Sequence, residues 1–290
     1  MFQRYNDKVK LVTNCETPYL SFDIFNKYEN LKAGFSTRLG GVSRAHLWSL
    51  NLGFALGDYP DRVLENYDRI SKAIGFEKEQ IVATKQVHLA DCMKVNVSDC
   101  GNGIIRENAF ESADALITNE PGVVLTVYGA DCVPIMMYEP VKKVIATAHA
   151  GWRGTVMNIV GNTISKMQEE FDCNPADIVA VIGPSICSDC YEIGPEVAAH
   201  FAECFAKPYE KTYDFGSGYK SQTILKAGEV EHSYANLWLA NAVNLTFAGV
   251  RLQNISLSEM CTKCRQDLFY SHRGSNGRRG VMSGFIMMEA

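Results

Sequence analysis

Two histidines and a cysteine stand where three apolar runs of this sequence end: His88 after IVATKQV, Cys132 after VVLTVYGAD and His149 after VIATA. Two imidazoles and a thiolate would make three protein ligands, the number typical of a catalytic zinc site, whose fourth position stays open for water or substrate. The intervals of 44 and 17 residues match no local zinc motif, so the set exists only if different strand ends converge. Otherwise the same residues are ordinary satisfied histidines and a buried thiol. The same residue types allow two other chemistries. A His₂Cys set also takes copper, which outcompetes zinc at most nitrogen and sulfur sites, and a cysteine activated by a histidine is the nucleophile of a metal-free hydrolase.

The chain beyond His149 reads Ala-Gly-Trp-Arg-Gly-Thr before a helical pattern. Free amide groups at a helix start, glycines that admit a ligand and the forked donors of Arg153 suit an anion such as phosphate. A tight turn with a solvated arginine fits the same letters. STRLGGVSR (36–44) and SHRGSNGRRG (271–280) also mix arginine with glycine in apparent loops, without the spacing of a P-loop or dinucleotide fingerprint. Cys187-Cys190 and Cys261-Cys264 form two CxxC pairs about 70 residues apart, against the roughly 15–20 of a zinc ribbon. A structural Cys₄ site and unpaired thiols both remain open readings.

Positioning these groups requires rigid elements. Strand character recurs in KLV, LKAGFS, QIVATKQVHL, CMKVNVS, ADALITN, VVLTVY, VPIMMYE, KKVIATAHA, DIVAVIG and GVMSGFIM, several so continuously apolar that both faces must be covered. Helical spacing appears in DYPDRVLENYDRISKAIGF, TVMNIVGNTISKMQEEF, GPEVAAHFAECFA and HSYANLWLANAVNLTFAG. Without a regular βαβ rhythm the prediction is a mixed α/β (α+β) layered fold. No linker, repeat or charge shift divides the chain, so residues 1–290 are expected to form one domain.

With 47% hydrophobic and 21% charged residues, the chain has the balance of a soluble globular protein. Its formal charge of −5 argues against nucleic acid as a partner, because counterion release needs clustered Lys and Arg. No apolar run is long enough to span a membrane, and MFQRYNDKVKLV lacks a signal-peptide core. The expected compartment is the cytoplasm, where ten cysteines are free thiols or metal ligands. Nothing in the pattern selects an oligomeric state.

In FSTRLGGVS, SLNLGFALGDYPDRVLEN, KQVH, ADALITNEPGVVLTVYGADCVPIMMYEP, VIATAHAGWRGT, IGPSICSDCYEIGPEV and LFYSHRGSNGRRG, the sequence resembles the YfiH-like, laccase-domain family. Its members were once called polyphenol oxidases and are now regarded as metal-dependent purine nucleoside phosphorylases. The resemblance implies an α/β/β/α single domain and one zinc ion on His88, Cys132 and His149. It also implies phosphorolysis of adenosine, inosine and methylthioadenosine to free base and ribose-1-phosphate, with deamination of adenosine. For deamination, zinc would lower the pKa of its water towards about 7 for attack at the purine C6, with Asp131 handling a proton or orienting a ligand. For phosphorolysis, Arg153 and Arg38 would hold phosphate while Gln86, two residues before His88 on one strand face, contacts substrate. Copper with polyphenol oxidation is the alternative, although six histidines are few for a four-copper cluster. The sequence departs from the family at Asn236, where Asp is usual, and at His272 in SHRG, where SYRR is more frequent; both changes are expected to touch positioning or substrate contacts.

Overall fold

The computed structural model describes residues 2–6, 8–213, 222–229 and 231–289. The chain runs β1 (Phe2–Asn6), β2 (Val9–Val12), β3 (Tyr19–Phe22), β4 (Leu31–Ser36), α1 (Pro60–Ile74), β5 (Ile81–Val82), β6 (Cys92–Lys94), β7 (Ala115–Thr118), β8 (Val124–Gly129), β9 (Val133–Glu139) and β10 (Val144–Ala150). It continues through α2 (Trp152–Val156), α3 (Ile159–Phe171), β11 (Val179–Ile182), β12 (Glu192–Ile193), α4 (Pro195–Cys204), β13 (Leu225–Ala227), β14 (Ser233–Ala235), α5 (Leu237–Phe247), β15 (Ile255–Leu257) and β16 (Met282–Met288).

The described residues form three sheets, with strand orders β1-β2-β3-β4-β16-β8-β5, β15-β11-β9-β10-β7-β6 and β12-β14-β13. Both large sheets are mixed: β5 runs parallel to β8, β6 to β7 and β11 to β15, while the other pairs in them are antiparallel. The alternation of side chains along a strand explains how they stack. On β9, Ile135 and Met137 join one core with α3 and α5, whereas Met136 and Tyr138 join a second core with Leu125, Val127 and Ile286 of the first sheet. On β16, Phe285 and Met287 turn the other way, towards Val63, Tyr67 and Ile70 of α1. The layers are therefore α1, seven-stranded sheet, six-stranded sheet, then α3 and α5, which is the α/β/β/α arrangement expected. A strand buried on both faces has no polar side to offer, hence the continuous apolar runs.

Local chemistry sets the helix bounds. Pro60 occupies the first turn of α1, where its missing N–H costs nothing, and Gly75 closes the helix in the left-handed region at φ 105°. TVMNIVGNTISKMQEEF, expected as one helix, is two. Asn158 breaks it at φ 56°, and its side-chain oxygen accepts the Gly161 N–H as the cap of α3; asparagine is among the few residues that tolerate both roles. QIVATKQVHL is strand only at Ile81–Val82. No helix among the described residues is long and apolar enough to cross a membrane.

Candidate metal centre

The sheet supplies two of the three expected ligands. β9 and β10 pair in the register His149↔Pro134 and Ala150↔Val133, so the residue just before β9, Cys132, lies beside the end of β10. His149 shares its strand face with Ile145 and Thr147, the face towards the first sheet, and is buried. His88 arrives differently. The sequence placed it at a strand end, but it lies in a loop with φ 64°.

Asp114, which the sequence reading missed, holds that loop. Its buried carboxylate accepts the N–H groups of Val87, His88 and Leu89, each at 3.0 Å, and the Nδ1 of His149 at 2.7 Å. Three consecutive amides converging on one anion hold His88 in a backbone conformation that non-glycine residues seldom adopt. The same carboxylate fixes the His149 tautomer and leaves Nε2 for a ligand. Only the buried acidic residue immediately before the apolar ALIT run could have signalled this in the sequence.

The ligand atoms of His88, Cys132 and His149 all lie within 4.8 Å of one another, with Cys132 Sγ 3.9 Å from His88 Nε2. The imidazole rings meet edge to face, their centroids 4.8 Å apart. Gly151 backs the cluster: a Cβ there would stand 3.0 Å from Cys132 Sγ and 3.2 Å from His88 Cδ2, so a side chain would crowd two of the three ligands. The mixed nitrogen and sulfur donors and this cleared space fit one borderline-soft divalent ion with three protein ligands.

Burial alone would push the Cys132 thiol up, but the adjacent His149 charge and hydrogen bonds from both histidines bring it down to about 6. Burial would likewise lower His149, yet the Cys132 thiolate and Asp114 raise it to about 9. Without metal the pair is thus thiolate and imidazolium at neutral pH. Metal binding needs the imidazole neutral, so the affinity should rise with pH until His149 loses its proton. We expect this pair to release a proton on binding metal, so log affinity should rise with pH across the neutral range. Competition titrations with a chromophoric chelator across pH measure this, and a flat profile from pH 6 to 8 would refute it.

The cluster opens into a cleft of about 740 Å³ lined by Leu52, Phe54, Leu56, Phe110, Tyr128 and Arg279, among others. Arg279, in the SHRGSNGRRG loop, was not singled out in the sequence. Desolvation lowers its pKa while the charges of Cys132 and Asp131 work against that shift, and its buried Nε has no hydrogen-bond partner.

Of the other expected site residues, Arg38 and Arg153 stand outside the cleft, while Gln86 lines it and Asp131 adjoins Cys132. The Arg38 guanidinium donates twice to Trp48 O and once to Gln266 O, and packs over Tyr270 at 4.7 Å. It ties two loops together and does not line the cleft. Arg153 is exposed and lies over its neighbour Trp152 at 4.4 Å, while α2 has only five residues, too few to align a substantial dipole. Gln86 lines the cleft, but its amide donates to Tyr128 O at 3.1 Å and accepts from Tyr128 N at 2.7 Å. Its polar atoms complete a backbone ladder. Asp131, at φ 98°, accepts the Thr262 hydroxyl and the Arg273 N–H on its two oxygens, each at 2.6 Å; those bonds make it an anchor of the turn that presents Cys132.

The departures at 236 and 272 are local. Asn236 caps α5 by accepting the Leu239 N–H at 3.0 Å, a role asparagine fills as well as aspartate, and its amide also donates to Gln222 at 2.7 Å. His272 is exposed, and its carbonyl accepts the Gly277 N–H. The two CxxC pairs also meet: Cys187, Cys190, Cys261 and Cys264 bring their sulfurs within 4.8 Å of one another, a four-cysteine cluster that could hold a metal ion.

Residues 32–289 match the family described as multi-copper polyphenol oxidoreductase laccase. The chain is 36% identical over 255 residues to purine nucleoside phosphorylase YlmD of Geobacillus stearothermophilus, covering 88% of this chain and 89% of that protein. It is 32% identical over 266 residues to adenosine deaminase RL5 from an unknown prokaryotic organism, covering 90% and 94%. The crystal structure of the hypothetical protein YfiH of Bacillus licheniformis superposes with a TM-score of 0.83 at 29% identity, covering 99% of each chain. With the layered fold, the converging His₂Cys set and a match over most of its length, the chain belongs to the YfiH-type laccase-domain family, whose relatives include purine nucleoside phosphorylases.

Proposed function

We propose that this protein is a zinc-dependent purine nucleoside phosphorylase acting on adenosine, inosine or methylthioadenosine, with adenosine deaminase activity. The observation that carries the reading is the opening of a three-ligand His₂Cys set into a cleft that also holds an underused arginine. The cleft volume lies within the roughly 300–1,000 Å³ of small-molecule sites. Phe54, Phe110, Leu52 and Leu56 offer apolar surface to a flat base, and Arg279 offers charge to an anion. Zinc held by His88, Cys132 and His149 would supply a Lewis acid or an activated water.

In phosphorolysis a phosphate oxygen bonds to C1′ as the C1′–N9 bond breaks and its electron pair leaves with the base, so the developing charge asks for positioning and electrostatic support. Arg279 would carry the phosphate. Asp114 keeps both histidines in place and Asp131 keeps the Cys132 turn. Replacing Arg279 with Gln removes a charged hydrogen-bonding group worth about 1.5–3 kcal/mol. We expect kcat/KM for phosphate to fall about 10- to 100-fold, with nucleoside affinity by equilibrium binding little changed. An equal loss of nucleoside affinity would count against the assignment.

The overall reading is tested by incubating the metal-analysed protein with adenosine and following products by chromatography with and without phosphate. Adenine that appears only with phosphate supports phosphorolysis, inosine supports deamination, and neither would refute the proposal. The relationship to adenosine deaminase RL5 favours including the second product. A metal-free hydrolase has its own support in the Cys132, His149 and Asp114 chain with its lowered thiol. Activity that survives chelation but not thiol alkylation would select it. For copper and phenol oxidation, the other four histidines join neither cluster of potential ligands among the described residues.

A further inference from the structure

We infer that Cys187, Cys190, Cys261 and Cys264 form a second, structural zinc site that clamps together the two loops supporting the Cys132 turn. The topology makes the meeting possible. β11 and β15 are neighbours in parallel register, Ile182 opposite Leu257, so the loops that follow them leave the same end of the sheet. One carries Cys187 and Cys190 and the other Cys261 and Cys264. The loops are laced by main-chain bonds from Ser185 N to Met260 O at 3.2 Å and from Thr262 N to Ser185 O at 3.1 Å.

The geometry of the sulfurs favours a metal over disulfides. Tetrahedral Zn–S bonds of about 2.3 Å put sulfurs about 3.8 Å apart. The four sulfurs lie within 4.8 Å of one another, with Cys190 and Cys264 at 3.5 Å, and all four are free thiols. A disulfide needs about 2.05 Å and joins sulfurs only in pairs, which leaves the fourfold convergence unexplained. Cys261 Sγ also accepts the N–H groups of Cys187 at 3.3 Å and Cys264 at 3.4 Å. Amide donors directed at sulfur orient a ligand and offset part of the negative charge that a tetrathiolate site gathers. Because the set supplies four protein ligands, it is closed, as structural zinc sites are.

The site would act on the candidate active centre through Asp131. Ile186, in the first loop, donates its N–H to Asp131 O at 3.0 Å, and Thr262, in the second, donates its hydroxyl to the Asp131 carboxylate at 2.6 Å. An ion tying both loops would fix two of the groups that hold the residue beside Cys132.

The test uses the 290-residue chain purified under reducing conditions, with metal counted by plasma mass spectrometry. Cys132→Ala removes the thiolate of the other cluster, so this variant should still carry about one zinc per chain. Exchange into Co²⁺ should then give intense sulfur-to-cobalt charge transfer and the strong d–d bands of a tetrahedral tetrathiolate. Adding Cys190→Ser and Cys264→Ser should abolish that ion and that spectrum. Chelation of Cys132→Ala alone should lower its melting temperature, which keeps the proposal testable if the triple variant does not fold. A folded Cys132→Ala protein without metal, a cobalt spectrum without thiolate bands, or disulfides among these four residues would overturn the inference. None of these readouts depends on turnover, so the catalytic proposal can fail separately.

Discussion

Replacing Cys132 with alanine should abolish turnover of adenosine and leave one metal ion fewer per chain, with the fold preserved. A metal acting as a Lewis acid contributes several kcal/mol to transition-state stabilisation, so losing it should lower kcat/KM by roughly 10³-fold or more at 1.36 kcal/mol per tenfold. The two remaining histidines would form an incomplete set. Cys132 lies in a turn and is only partly buried, so removing its sulfur should disturb the core little. Parallel metal analysis, circular dichroism and kinetics check all three points. A variant that loses activity but keeps the full metal complement would refute the ligand role and favour a nucleophilic thiol.

Asp114→Asn should be costly to both metal affinity and folding, although the side chain touches no substrate. The carboxylate accepts three amide N–H groups and the His149 ring. Asn has one acceptor oxygen, and its NH₂ would turn towards donors. We expect metal affinity to fall about 10- to 100-fold, as for other groups that orient ligands. The protein should also lose about 3 kcal/mol of stability, since buried donors lose partners and each hydrogen bond to a charged group is worth about 1.5–3 kcal/mol.

The pH dependence has a defined sign. Burial would raise the Asp114 pKa, but His149 and the amides of Leu89 and Val87 hold it below its ordinary value. Its contribution to stability is therefore present at neutral pH and is lost as the pH falls through the folded-state value. Denaturant unfolding of wild type and variant across the acid range should converge for this reason. Persistence of the difference after that carboxyl is protonated would show that shape, not charge, matters at position 114.

Much of the architecture could be read from residue order. The runs VPIMMYE and VIATAHA are apolar on both strand faces and can exist only between two covering layers. The α1 pattern places Val63, Tyr67 and Ile70 on one side, and Pro60 marks its start. The longer helix prediction failed at Asn158 because apolar periodicity continues across a break that one left-handed residue creates. His88 was assigned to a strand for a similar reason: IVATKQV has strand composition, but beyond Val82 the chain is held by the Asp114 carboxylate instead of a neighbouring strand.

Of the candidate site, the sequence by itself determined the residue types that could bind a metal and the apolar strands that bring Cys132 and His149 to one edge. Only the tertiary structure decided which polar residues surround them. Arg38, Gln86 and Asp131 have donors or acceptors spent on loops and backbone, whereas Arg279 keeps a buried Nε unpartnered beside the cleft. It also joined two CxxC pairs across about 70 residues, through a parallel pairing of β11 with β15 that neither local sequence encodes. The physical reason is that burial and periodicity are properties of neighbouring residues in the chain, while the partner of a polar atom is set by whichever distant segment packing brings within hydrogen-bond reach.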